Sequence, residues 1–112
     1  MRINITARHF KASDRLKQFI DNEINRLEKF YNGIIDCEVI LSYIKNEQRA
    51  EIFLNVRGQT LTVAVNSDDM FRSIDSAVKK IERQLRKYKS KLKNFSHEKA
   101  IDYVGGDYFE EE

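Results

Sequence analysis

Met70, Ile74, Val78, Ile81, Leu85, Tyr88 and Leu92 recur every three or four residues for over six helical turns. The chain contains no proline, so nothing breaks this run. A stripe this long predicts one extended helix with a single buried face. It therefore demands a broad apolar surface to lie against. Three segments just upstream offer one. Cys37, Val39, Leu41 and Tyr43 share one face of a strand-like run, as do Ala50, Ile52, Leu54 and Val56, and again Leu61, Val63 and Val65. The opposite faces mix Glu38, Ile40, Ser42, Glu51, Phe53 and Asn55, which fits a sheet covered on one side only. "KNEQ" and "RGQ" are short enough to be hairpin connections.

Two elements complete the pattern. "RINITA" alternates, with Ile3 and Ile5 on one side, and predicts a first strand. Leu16, Phe19, Ile20, Ile24, Leu27 and Tyr31 keep helical spacing after Ser13, an N-cap residue, and Asp14, which suits the positive end of a helix dipole. Gly33 is the expected stop. Ser67 is the expected cap of the last helix, with Asp68 and Asp69 in its first turn. The fold class is α+β: one β-α-β-β-β-α domain over residues 1–95, a four-stranded sheet with two helices on one face. Residues 96–112 read as an acidic, mobile tail.

Charge decides what such a domain can bind. "KKIERQLRKYKSKLK", residues 79–93, holds eight basic residues and one acid. Stepping about 100° per residue from Met70, the apolar stripe falls between about 0° and 80°. Arg72, Lys79, Arg83, Arg86 and Lys93 fall between about 140° and 220°, with Lys80 and Lys87 flanking them. The basic face is thus opposite the core face, and Asp75 and Glu82 dilute only one flank. Complementing the helix dipole accounts for Lys91 and Lys93 but not for charges two to three turns further back. Net charge is +2, yet residues 1–95 sum to +7 and residues 96–112 to −5. A basic body with an unused like-charged stripe would only repel itself, so a polyanionic partner is expected.

Phosphate is the matching anion: Arg offers a planar fork and Lys a point charge. With no glycine-rich phosphate loop, zinc-ligand spacing or RNA-recognition aromatic motif, the surface suits the shape and phosphates of folded RNA rather than base sequence. Cys37 alternates in phase with core residues and is expected to be a buried thiol. His9 and His97 lack ligand partners, and Asp68 and Asp69 serve the helix start, so no metal site, catalytic residue or cofactor is assigned. "MRINITARHF" has no signal-peptide core, no apolar run approaches a membrane span, and one cysteine suits a reducing cytoplasm.

"NIT" at 4–6, "RLEKFY" at 26–31, "DDMFRSID" at 68–75 and "IERQLRKYKSKLK" at 81–93 resemble the ribosome hibernation promoting factors, a family that includes the protein Y translation inhibitors. The resemblance spans residues 1 to about 95 and shares the element order. It implies a cytoplasmic, non-enzymatic factor that binds the small ribosomal subunit and its ribosomal RNA near the decoding centre. There, in the channel for messenger and transfer RNA, it inhibits translation and preserves inactive ribosomes when growth slows or under stress. No membrane and no small-molecule substrate are implied, and the free protein is expected to be monomeric. The RNA contacts it implies fall on Lys79, Lys80, Arg83, Arg86, Lys87 and Lys91, with Arg26 and Lys29 on the first helix.

Three departures stand out. Phe71 occupies a position where the family commonly has tyrosine, and Arg72 one that is often alanine. The chain ends at residue 112 without the dimerisation domain of long-form members, so it is not expected to join two ribosomes by that route. Two rival readings are a stand-alone double-stranded RNA-binding protein, and an adaptor whose basic helix meets an acidic protein.

Overall fold

The computed structural model describes residues 1–98, with side chains described as far as Leu92. Strand β1 spans Arg2–Ala7, helix α1 Asp14–Phe30, β2 Ile34–Ile44, β3 Glu47–Val56, β4 Gln59–Ser67 and helix α2 Met70–Glu98. This is the β-α-β-β-β-α order expected from the periodicities. The sheet order is β1-β2-β3-β4. β1 runs parallel to β2, Ile3 beside Cys37 and Ile5 beside Val39, while β2–β3 and β3–β4 are antiparallel hairpins. The hairpins turn through only two residues each, Lys45–Asn46 and Arg57–Gly58. Gly58 takes φ 88°, which glycine adopts without steric cost. Lys45 takes φ 59° without that freedom.

Both helices cover one face of the sheet, and the core lies between. Ile20, Ile24 and Leu27 from α1, Val39 and Leu41 from β2, Ile52 and Leu54 from β3, Leu61 from β4, and Ile74, Val78, Ile81 and Leu85 from α2 are essentially inaccessible. Cys37 is buried among them, and burial, with Asp36 and Glu38 on either side, pushes its thiol up to about 12. It is therefore a core residue in its inert protonated form. Ile3 and Ile5 are only half-buried, because β1 is an edge strand.

The helix starts are built differently. Ser13 caps α1 as expected: its Oγ accepts from the Leu16 N–H at 3.1 Å, and Asp14 opens the first turn. For α2 the expectation was two residues early. Asp69 is the cap, its Oδ1 accepting from the Phe71 N–H at 3.2 Å, so no acid lies within the first turn. Ser67 instead hydrogen-bonds Ser73 at 2.6 Å, and Ser73 also donates to the Gln48 carbonyl at 2.6 Å. The Gln48 amide oxygen accepts from the Met70 N–H at 2.8 Å, so β3 supplies part of the cap.

The first helix ends at Phe30, with Tyr31 as an extended C-cap, three residues before the expected stop can act. Gly33 has a different reason to be glycine: a Cβ there would run into the Tyr31 ring. Two stripe residues also depart from expectation. Leu92 is 43% exposed and Tyr43 53% exposed, because the helix and the strand each run past the element that covers them. The expected domain end at Phe95 falls inside α2, which continues to Glu98. The acidic tail otherwise lies outside the described residues.

Candidate nucleic-acid interface

Three polar contacts lock the rotation of α2. Tyr88 donates from its hydroxyl to the Arg57 carbonyl at 2.8 Å, and its ring meets Tyr31 edge-on at 5.7 Å. Gln84, itself buried, donates to the Thr62 carbonyl at 3.1 Å. Lys89 donates to the Phe30 carbonyl at 3.2 Å, satisfying an acceptor at the end of α1. With these in place, Lys79, Lys80, Arg83, Arg86 and Lys87 all point to solvent, and Lys91 is half-buried. Arg26 and Lys29 are exposed on α1.

The two flanks of this face differ. Toward α1, Asp75 pairs with Lys79 at 3.3 Å and Glu82 with Arg86 at 2.9 Å, both one turn apart. Such exposed pairs contribute only ~0.3–0.5 kcal/mol, but they restrain where the cations sit. Arg86 also lies over the Phe30 ring at 5.2 Å, and Lys89 over the same ring at 4.8 Å. Phe30 is thus the seam between the helices. On α1 itself, Arg26 is held by Glu23 at 3.3 Å. Toward β4, Lys80, Arg83 and Lys87 are spaced to share a ridge that carries no acid. Lys80 and Arg83 have no ion-pair partner among the described residues. A shallow depression lined by Lys79, Glu82, Arg83 and Arg86 runs beside this ridge.

Lys89 was not singled out by sequence reasoning. It is one of eight basic residues in that stretch, and nothing local marks it as the one that reaches across to α1. Phe71 is half-buried, 5.0 Å from Phe19 and beneath the Arg15 guanidinium at 5.7 Å. Its ring packs against the edge of the core.

The far side of the sheet has the opposite character. Asp36, Glu38, Glu47 and Glu51 share it with Arg2 and Arg49. Arg49 is already engaged, with Glu51 at 3.4 Å and Asn66 at 3.0 Å. The far face of the sheet is therefore an unfavourable approach for a polyanion. Among the described residues no group of acidic, histidine or cysteine side chains could hold a metal ion, and no helix is long and apolar enough to cross a membrane.

Residues 3–93 match the protein family described as sigma 54 modulation protein / S30EA ribosomal protein. The chain belongs to that family. It is 32% identical over 91 residues to a ribosome hibernation promoting factor of Azotobacter vinelandii, covering 81% of this chain and 85% of that one. It is 30% identical over 93 residues to the factor of Escherichia coli K12, covering 83% of this chain and 98% of that one. Among solved structures, the ribosomal subunit interface protein of Coxiella burnetii superposes with a TM-score of 0.76 at 26% identity, covering 80% of this chain and 99% of that one. The N-terminal domain of Thermus thermophilus Protein Y gives 0.73, also at 26% identity, covering 79% and 99%. The family match ends at residue 93, so it contains the whole of the basic ridge.

Proposed function

We propose that this chain is a cytoplasmic ribosome hibernation factor that lays the outer face of α2 on ribosomal RNA of the small subunit. Its seat is the messenger and transfer RNA channel near the decoding centre. Occupying that channel inhibits translation and keeps inactive ribosomes intact through slow growth or stress. The reading is of a binder and not a catalyst. The observation that carries it is the acid-free ridge of Lys80, Arg83 and Lys87, held outward by a helix whose opposite face is buried. Phosphate contacts from Lys79, Lys80, Arg83, Arg86, Lys87 and Lys91, with Arg26 and Lys29 at the rim, would fix position by charge and shape.

Co-sedimentation with purified small subunits across a salt series tests this. Binding should weaken steeply with salt, and a variant with Lys79, Arg83 and Arg86 all changed to Ala should bind weakly while melting like the parent. Parent-like affinity in that variant would remove the outer face of α2 from the interface. Equal affinity for free duplex RNA would favour a stand-alone double-stranded RNA binder instead.

A further inference from the structure

The end of the molecule that carries the start of α1 holds a second group of cations that the ridge does not use. β1 stops at Ala7, but the chain continues beside β2, with the Arg8 N–H donating to the Leu41 carbonyl at 2.9 Å. Beyond that bond the β1–α1 connection turns through His9, at φ 66°, and places Phe10 against Tyr43. The rings meet edge to face, 4.9 Å apart and 87° between planes. Phe10 is half-buried, whereas Tyr43 stays 53% exposed and its neighbour Ile44 45% exposed. Arg8 and Lys11 lie within two residues of Phe10 in the chain, and Lys45 two residues after Tyr43; all three are exposed, and none is in an ion pair among the described residues. The nearest acid on the hairpin, Glu47, accepts a hydrogen bond from Asn66 at 2.9 Å.

Two features argue that this tip is built for contact. A large aromatic ring is held rigid by a second one yet left open to solvent, although burying it against the helices would have been the favourable outcome. Lys45 occupies a left-handed position that glycine fills without strain, so the turn tolerates strain and keeps a charge. An open aromatic with unpaired cations close by in the chain suits an unpaired base with its flanking phosphates: the base stacks and the cations meet the backbone. Apolar protein surface would gain nothing from the three cations.

We propose that the Phe10–Tyr43 tip is a second RNA contact, which stacks one unpaired base on Tyr43, with Phe10 positioning the ring and Arg8, Lys11 and Lys45 on the adjoining phosphates. The inference rests on the ribosome-binding reading for the identity of the RNA. The tip engages single-stranded RNA, whereas the ridge meets phosphates of folded RNA, so the two ends of the molecule read different features of one partner.

Binding of Tyr43→Phe, Tyr43→Leu and Lys45→Gly to purified small subunits tests it, with melting temperatures measured in parallel. Tyr43→Phe keeps the ring and should bind within twofold of the parent. Tyr43→Leu keeps apolar bulk but loses the stacking plane and should weaken binding roughly five- to a hundredfold. Lys45→Gly should melt at or above the parental temperature yet bind more weakly, with a salt slope shallower by roughly 0.7–0.9. Ultraviolet crosslinking of the parental complex should join Tyr43 to RNA. Parental affinity in Tyr43→Leu, or a Tyr43 crosslink to a ribosomal protein, overturns the proposal while leaving the ridge standing. Failure of the parent itself to bind small subunits overturns both.

Discussion

α1 and α2 lie side by side on the same sheet face, and each buries one apolar stripe. Their outer faces share nothing. α1 carries four acids and four bases, which cancel. Residues 70–92 of α2 carry eight bases and two acids. The core asks the same thing of both helices, an apolar residue every three or four positions, and is indifferent to what points away. The imbalance on α2 is therefore free to serve a partner, and α1 is the internal control for what an ordinary solvated face looks like.

The comparison breaks first at the core. Leu85→Ala should cost ~2–5 kcal/mol, since Leu85 is fully buried. A chemical denaturation curve that does not move would mean that the two faces of α2 are misassigned. Next comes the outer face. The Lys79, Arg83 and Arg86 triple alanine variant should unfold like the parent, but its binding to small subunits should show a salt slope shallower by roughly 2–3. An unchanged slope would put α2 on a par with α1. Smaller again is Tyr88→Phe, which removes the hydrogen bond to the Arg57 carbonyl and should cost ~0.5–1.5 kcal/mol while leaving binding untouched. Least affected should be Arg26→Ala with Lys29→Ala. Arg26 already sits with Glu23, and an exposed pair contributes only ~0.2–1 kcal/mol. If this double variant loses as much binding as the α2 triple, the helices act as one surface and the contrast between them disappears.

Every element and the phase of each strand and helix were legible from spacing alone, because a half-buried element must repeat with its own period. What spacing cannot report is where the covering element ends. That is why Tyr43 and Leu92 keep the rhythm of core residues and yet face solvent. Nor can it report partners distant in sequence. Gln48 shares the cap of α2 across twenty-two residues, so the serine nearest the helix was the wrong choice. Lys89 reaches across to α1 because the Phe30 carbonyl, fifty-nine residues away, is there to receive it. The candidate ridge was readable as a set of cations. Its division into a flank diluted by Asp75 and Glu82 and a flank without acids was readable too; that Arg86 and Lys89 lie over the Phe30 ring needed the neighbouring helix to be placed.

The parallel pairing of β1 with β2 has a consequence for how the chain reaches this state. β2, β3 and β4 are joined by two-residue turns, and such hairpins close in ~1–10 μs. β1 has no such neighbour: Ile3 must meet Cys37 across the whole of α1. Loop closure of that length delays the pairing relative to the hairpins. The segment synthesised first is therefore expected to be seated late, after the strand it joins has emerged. Pulse-labelled hydrogen exchange during refolding should find the β3 amides protected before those of β1.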